Sequence, residues 1–290
     1  MKKILITLSI IVTTLLTTGC DLIKRDTLED ITIYTTSYPI EYIVNYLYGN
    51  HSTVLSIYPN GTDINKYTLT TKQIKDYSEM DMYIFSGLTS EKDYVEPLFD
   101  YNKDLMIIDA SQSMSYTYNP DELWLDPSNF LMLSLNIKNG FHEYIENGYL
   151  KNEIEEKYES LKVEISNIDA KFRLMSVSTD NQTIVVDDNT FKFLEKYGFN
   201  VISLDETTVT DKNISDVKNM INSGKISYIF TTDSENLNDA VTSITQNTNV
   251  QLAELYTISN LTDDERSDKM DYITLMNENI NLLKNELYNN

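Results

Sequence analysis

The 290-residue chain holds a single cysteine, Cys20, and only two histidines, His51 and His142. One thiol excludes an intrachain disulfide and any zinc site built on paired cysteines. Two imidazoles leave little for histidine ligation of a metal or for histidine acid–base chemistry. Basic residues are scarce as well: 23 Lys and Arg stand against 45 Asp and Glu, a formal net charge of −22. Binding nucleic acid by phosphate neutralisation needs a basic face, so that class is excluded, and with it a polybasic membrane clamp. The chain has no P-loop, no GxGxxG, no GxSxG and no HExxH, so an enzyme is not expected. What remains is a globular balance, 41% hydrophobic and 23% charged, in a chain long enough for two domains.

Residues 1–20 read MKKILITLSIIVTTLLTTGC. Lys2 and Lys3 precede an uncharged, largely apolar run from Ile4 to Leu16 that is too short for a permanent membrane span and fits a signal peptide over 1–19. Small residues then lead to the lone cysteine, a pattern that resembles a bacterial lipobox, although Thr17 stands where leucine is usual. Cys20 is the expected lipidation site. Residues 20–30 are polar and aperiodic and read as a lipidated tether.

From Ile31 onward, β-branched runs alternate with helical patterns. Strands are predicted at 31–36, 54–58, 82–85 and 105–108, with helices near 40–47, 70–79 and 90–99. A second series has strands at 183–187, 201–204, 227–231 and 251–255. Its helices fall at 189–197, 213–223, 234–246 and 268–288, with Gly198 suited to a left-handed helix end. Pro59-Asn60-Gly61 is a turn signal. Between the two series, after a helical stretch at 128–146, one apolar stripe runs through Leu150, Ile154, Tyr158, Leu161, Ile165, Ile168, Phe172 and Met175. Those steps of three and four residues predict a long helix, roughly 39 Å from Leu150 to Met175 at about 1.5 Å per residue. It serves as a stiff strut between lobes or as a coiled-coil dimer segment; a monomer is expected. The fold class is therefore α/β: two Rossmann-like lobes with central, mainly parallel sheets, joined by a long rigid helix. The lobes fall at 31–146 and 179–290, with the connecting helix at 147–178. In such folds ligands sit in the crevice at the carboxyl ends of strands.

Two acidic pairs differ in meaning. Asp263-Asp264, between Thr262 and Glu265, reads as the first turn of the last helix, closed by a capping box. Asp187-Asp188 ends a strand, where functional loops begin. Trp124, the one tryptophan, is expected to pack in the core between the lobes.

Six segments carry a resemblance. They are YTTSYPIEYIVNYLYGN (34–50), YPNGTDINKYTLT (58–70), DMYIFSGL (81–88), ELWLDPSN (122–129), TIVVDDNTFKFLEKYGF (183–199) and ELYTISNLTDDE (254–265), the last followed by YITLMNENINLLKNEL. In this order they resemble the substrate-binding lipoproteins of bacterial zinc and manganese ABC importers. The resemblance implies a two-lobed binder that holds a divalent ion, manganese or zinc, with four side chains from four loops. It also implies docking on an ABC importer permease, and an extracytoplasmic site anchored to the bacterial cell membrane through the N-terminal lipid.

The family's usual ligands are replaced here. Its first histidine falls on Asn65, its second on Glu122, and its third ligand on Asp188; the fourth falls near Ile258, within Tyr256 to Ser259. Asn65, Glu122 and Asp188 are thus the candidate metal ligands. An amide and two carboxylates are hard oxygen donors, suited to manganese, magnesium or calcium rather than zinc. His51 is expected to be a solvated loop residue and His142 structural or solvated. Two functions follow: an import receptor with an oxygen-rich site, or a metal-free member acting as a surface-binding, adhesin-like lipoprotein.

Overall fold

The β-branched run Ile31–Thr35 forms β1, the first of eight short strands in the computed structural model, which describes residues 28–117, 120–179 and 181–288. The expected signal peptide, lipidation at Cys20 and tether up to residue 27 lie outside the described residues. β1 is joined by β2 (Ser52–Ser56), β3 (Met82–Phe85) and β4 (Met106–Asp109) in the order β2-β1-β3-β4, every pair parallel. A second parallel sheet repeats the plan with β5 (Thr183–Val186), β6 (Asn200–Ser203), β7 (Tyr228–Thr231) and β8 (Gln251–Glu254), ordered β6-β5-β7-β8. Parallel strands need crossovers, and helices supply most of them. They are α1 (Tyr38–Tyr48), α2 (Thr71–Tyr77) and α3 (Val95–Tyr101) in the first lobe, and α6 (Asp211–Asn222) and α7 (Asp239–Thr245) in the second. The expected α/β architecture is what the chain adopts.

β5 shows why both sheet faces are covered. Ile184 and Val186 point into the main core, whereas Val185 points the other way, toward Val217 of α6 and Val241 and Ile244 of α7. An all-apolar strand with two buried faces is the mark of a parallel sheet between helix layers.

The two sheets are joined by α4 (Pro127–Tyr144) and α5 (Gly148–Val177). Asn147 caps α5, its Oδ1 accepting from the amides of Tyr149 at 2.8 Å and Leu150 at 3.3 Å. All eight stripe residues from Leu150 to Met175 are buried, against α1, α4 and the last helix, α9 (Tyr272–Leu287). The 30-residue α5 is about 45 Å long. Where α1, α4 and α9 meet, Phe130 stacks on Tyr272 with ring centres 3.9 Å apart, and Tyr42 lies 5.9 Å from the same tyrosine.

Three local expectations need correction. The segment expected as helix 189–197 is a tight 3-10 turn at Lys192–Tyr197, which buries Phe193, Leu194 and Tyr197 together and ends on Gly198 at φ 99°. The helix expected at 234–246 starts only at Asp239, because the Asp233 carboxylate takes the amides of Glu235 and Asn236 and holds that stretch as a loop. The Thr262–Glu265 capping box exists, but on a separate short helix, α8 (Asp263–Ser267); Lys269 at φ 56° breaks the chain before Asp271 caps α9. His51 is a loop residue, as expected, but only part-exposed. Its Nε2 lies 3.1 Å from Glu153 Oε2 on α5, with the ring against Tyr48. His142 sits in the last turn of α4 with its Nε2 buried.

The stripe on α5 should carry much of the stability. Leu161→Ala removes a fully buried side chain and is expected to cost about 2–5 kcal/mol. Val163→Ala, on the exposed side of the same helix, should stay within about 0.5 kcal/mol. Urea unfolding of both variants measures the difference; equal midpoints would show that the stripe does not hold the lobes.

Candidate functional site

The loops after β2, β4 and β5 all emerge at strand carboxyl ends and carry the three candidate residues. After β2, Gly61 at φ 68° completes the Pro59-Asn60-Gly61 turn in a conformation that favours glycine. Asp63 Oδ1 then accepts the Asn65 amide at 3.0 Å and fixes where Asn65 projects. Glu122 precedes the 3-10 turn Leu123–Leu125, whose three side chains are buried as an anchor. Asp188 lies two residues past the end of β5, and its Oδ1 accepts the Thr190 amide at 2.7 Å.

The fold brings Asn65 and Glu122 together: Nδ2 of the first lies 3.4 Å from Oε1 of the second. Both line an open chamber of about 690 Å³ between the lobes, with Asp63, Lys66, Thr232, Asp233, Glu254 and the segment 255–262. Asp188 lies next to it and lines a neighbouring hollow of about 450 Å³. A smaller space of about 220 Å³ joins Glu122 to Thr190. Burial pushes the Glu122 carboxyl up to about 7, and the charges of Asp121 and Asp188 add to the rise. Among the described residues, no three His, Cys, Asp or Glu side chains gather to hold a metal by themselves. Oxygen donors are present, but a shared ion also needs Asn65 and water.

The fourth position offers no charged donor. Ile258 is buried, at φ 59°, a strained backbone for a β-branched residue. Beside it, the hydroxyls of Thr257 and Ser259 pair with each other at 3.2 Å. The segment is instead a clasp to the first lobe. The Thr257 carbonyl accepts from Trp124 Nε1 at 2.8 Å, the Ser259 carbonyl from the Tyr38 amide at 2.9 Å, and the Leu261 carbonyl from the Gly61 amide at 2.9 Å. Asn260 Nδ2 donates to the carbonyls of Pro59 and Thr62 at 2.7 and 3.0 Å. Arg266 closes the clasp with a two-pronged pair to Glu41, at 2.7 and 2.8 Å. Trp124 thus packs between the lobes as expected.

Two further buried carboxyls stand behind the cleft edges. Glu91 accepts from the Thr36 hydroxyl at 2.6 Å and the Ser86 amide at 3.0 Å, tying the ends of β1 and β3; burial raises it to about 7. Asp187 does the same for β5 and β7, accepting from the Thr231 hydroxyl at 2.5 Å and the Thr232 amide at 3.1 Å, and burial raises it to about 6. Glu91, Asp63, Lys66 and Asp233 escaped the sequence reading. Asp63 and Lys66 lie in the segment of the β2 loop already singled out, and Asp233 follows a strand end, the one cue that pointed to it.

Residues 33–286 match the family described as zinc-uptake complex component A, periplasmic. The chain is 22% identical to the manganese-binding lipoprotein MntA of Halalkalibacterium halodurans, over 97% of each chain. Among solved structures, it resembles the metal-dependent lipoprotein YcdH of Bacillus subtilis at a TM-score of 0.73 and 16% identity, covering 89% of this chain and 99% of that one. It also resembles the Zn(II)-bound ZnuA-like domain of Streptococcus pneumoniae AdcA at a TM-score of 0.71 and 18% identity, covering 89% and 99%.

The raised Glu91 gives a pH test. Its folded value, about 7, exceeds the unfolded 4.5. Its stability contribution is therefore fully present below about 4.5 and lost as pH rises through about 7. Glu91→Gln should remove about 2–3 kcal/mol from the fall in unfolding free energy between pH 5 and pH 8. Urea titrations at both pH values give the comparison, and identical pH slopes would mean that Glu91 ionises in the fold as freely as outside it.

Proposed function

We propose that this chain, which belongs to the periplasmic zinc-uptake complex component A family, is the cation-capturing receptor of an ABC importer, holding a divalent ion with Asn65, Glu122 and Asp188. The observation that carries the reading is the contact of Asn65 with Glu122. It joins two loops of one lobe at the mouth of a cleft whose other side carries Asp188. The ion is cargo. An amide oxygen, presented once Asn65 turns its Nδ2 away from Glu122, and two carboxylates favour manganese over zinc, and water completes the coordination. Asp188 lines a hollow beside the main chamber, so sharing an ion draws Asp188 and Glu122 toward one point about 2.0–2.6 Å from each. The ion removes the repulsion that raises Glu122, which offsets the cost of bringing the carboxylates together.

Lipidation at Cys20 places the receptor on the outer face of the cell membrane, in keeping with a relative named as a lipoprotein. Among the described residues no helix is long and apolar enough to cross a membrane. The loaded receptor docks as a monomer on the importer's permease. The lobes span 31–146 and 179–290, with 147–178 as the strut between them.

A second reading, a metal-free surface-binding lipoprotein, draws on one observation. Ile258, near which the family's fourth ligand falls, is buried in a loop committed to the clasp.

Metal-stripped protein decides between them. Manganese is expected to raise the melting temperature, with a smaller rise for zinc or calcium, because a ligand that binds only the native state stabilises it. At a concentration 100 times Kd the gain is about 2.7 kcal/mol. The double variant Glu122→Ala, Asp188→Ala should abolish the manganese shift. If no ion moves the melting point of the unaltered chain, the surface-binding reading stands. If the double variant still responds, other residues hold the ion.

A further inference from the structure

The chamber that holds Asn65 and Glu122 contains a cation of its own. Lys66 is the only Lys or Arg among the described residues lining it, and it shares the space with Asp63, Glu122, Asp233, Glu254 and Glu265. Its Nζ is 2.9 Å from Asp63 Oδ2. Asp233, on the opposite lobe, lines the same chamber. The ammonium is therefore paired on its own lobe, in a chamber that acids of both lobes line, one residue from the amide that touches Glu122. The side chain is 86% exposed, so nothing packs its stem in place, and an exposed pair of this kind is cheap to break.

A fixed positive charge inside a site for cations opposes the ligand. A mobile one does something different: it balances the carboxylates before an ion arrives and moves aside when one does. We propose that Lys66 is a tethered competitor that sets the affinity of the cleft for divalent cations and shields it from monovalent salt; this rests on the reading of the cleft as a cation site. A sodium or potassium ion brings the same single charge as the ammonium it displaces. It gains little by the exchange and must first break the Asp63 pair. A divalent ion brings twice the charge and repays that break. The competitor is covalently attached, so it is always present at the site, whatever the salt outside. After the ion departs, the returning ammonium restores the pair with Asp63 and favours release over recapture.

Calorimetric titration of manganese(II) chloride into the metal-stripped chain tests this at about 10 mM and about 150 mM sodium chloride, where screening lengths differ about fourfold. Lys66→Gln should bind manganese at least threefold more tightly than the unaltered chain at low salt. It should also lose more of that affinity at the higher salt, so that the two proteins converge. Lys66→Arg, which keeps the charge, should behave as the unaltered chain. A gain below threefold at low salt, a loss of affinity, or parallel salt dependences would overturn the role of Lys66 while leaving the cation site intact. Absence of manganese binding by the unaltered chain at both salts would overturn the site itself, and this inference with it.

Discussion

The ring of Phe130 lying on Tyr272 fixes the distance between two halves of the molecule, and the cleft inherits its width from that contact. Phe130 belongs to α4, whose start is set by the Leu-Trp-Leu anchor behind Glu122; Tyr272 opens α9, which covers the second sheet. The Tyr272 hydroxyl donates to the Trp124 carbonyl at 2.6 Å, and the Trp124 indole donates to Thr257 on the facing loop. One aromatic seam therefore connects the loop bearing Glu122 to the loop facing it. With α5 packed along its whole length behind the seam, the lobes have little freedom to slide, because close-packed interiors rearrange in steps and do not deform smoothly.

This rigidity explains how the site tolerates its electrostatics. The Glu122 carboxyl, raised to about 7 by burial and by the charges of Asp121 and Asp188, carries charge at a cost where the lobes meet. A loose pair of lobes would relieve that cost by opening. Here the Arg266–Glu41 pair and the row of carbonyls at 257, 259 and 261 hold one side shut. The strain at Ile258 persists because hydrogen bonds on both flanks leave it no alternative. A loop that supplies a carboxylate in a metal receptor must leave its side chain pointing into the cleft. This loop spends its polar groups on the neighbouring lobe.

Much of the fold is legible in the sequence because it rests on periodicity. The α5 stripe is a run of spacings that only one helix face satisfies, and all eight positions are buried. The strands are equally plain, since buried parallel strands are short apolar runs between turn signals. What escapes are decisions made by single side chains acting locally. Asp233 turns the expected start of a helix into a loop by taking two amides. Lys269 in the left-handed region splits one expected helix into α8 and α9. His51 is a loop residue, and only the fold brings Glu153 of α5 to it across 102 positions of sequence. The candidate site is legible in part for the same reason. Asn65, Glu122 and Asp188 stand out through the family resemblance, residue by residue, and their placement past strand ends follows from the α/β plan. That Asn65 touches Glu122, or that Asp233 faces Lys66 from the other lobe, depends on how two lobes meet, and nothing in linear spacing encodes that.

In the cation site proposed for this cleft, oxygen donors stand where the family resemblance implies imidazoles, and that changes what kind of selection such a site makes. Nitrogen ligands discriminate among transition metals by bond preference, whereas carboxylates and amides discriminate mainly by charge, size and hydration. A site of the second kind is exposed to competition from every abundant cation, and a net charge of −22 draws them all toward the surface. Charge balance inside the chamber then matters more than the identity of any one ligand. Asp63, Asp233 and Glu254 raise the attraction for cations of every valence, while moving the single ammonium off Asp63 costs the same for each of them. A fixed penalty weighs heavily on an ion that brings one charge and lightly on an ion that brings two. In the proposed site, hard oxygen ligands and an internal ammonium would thus form one arrangement, in which valence replaces ligand softness as the property being read.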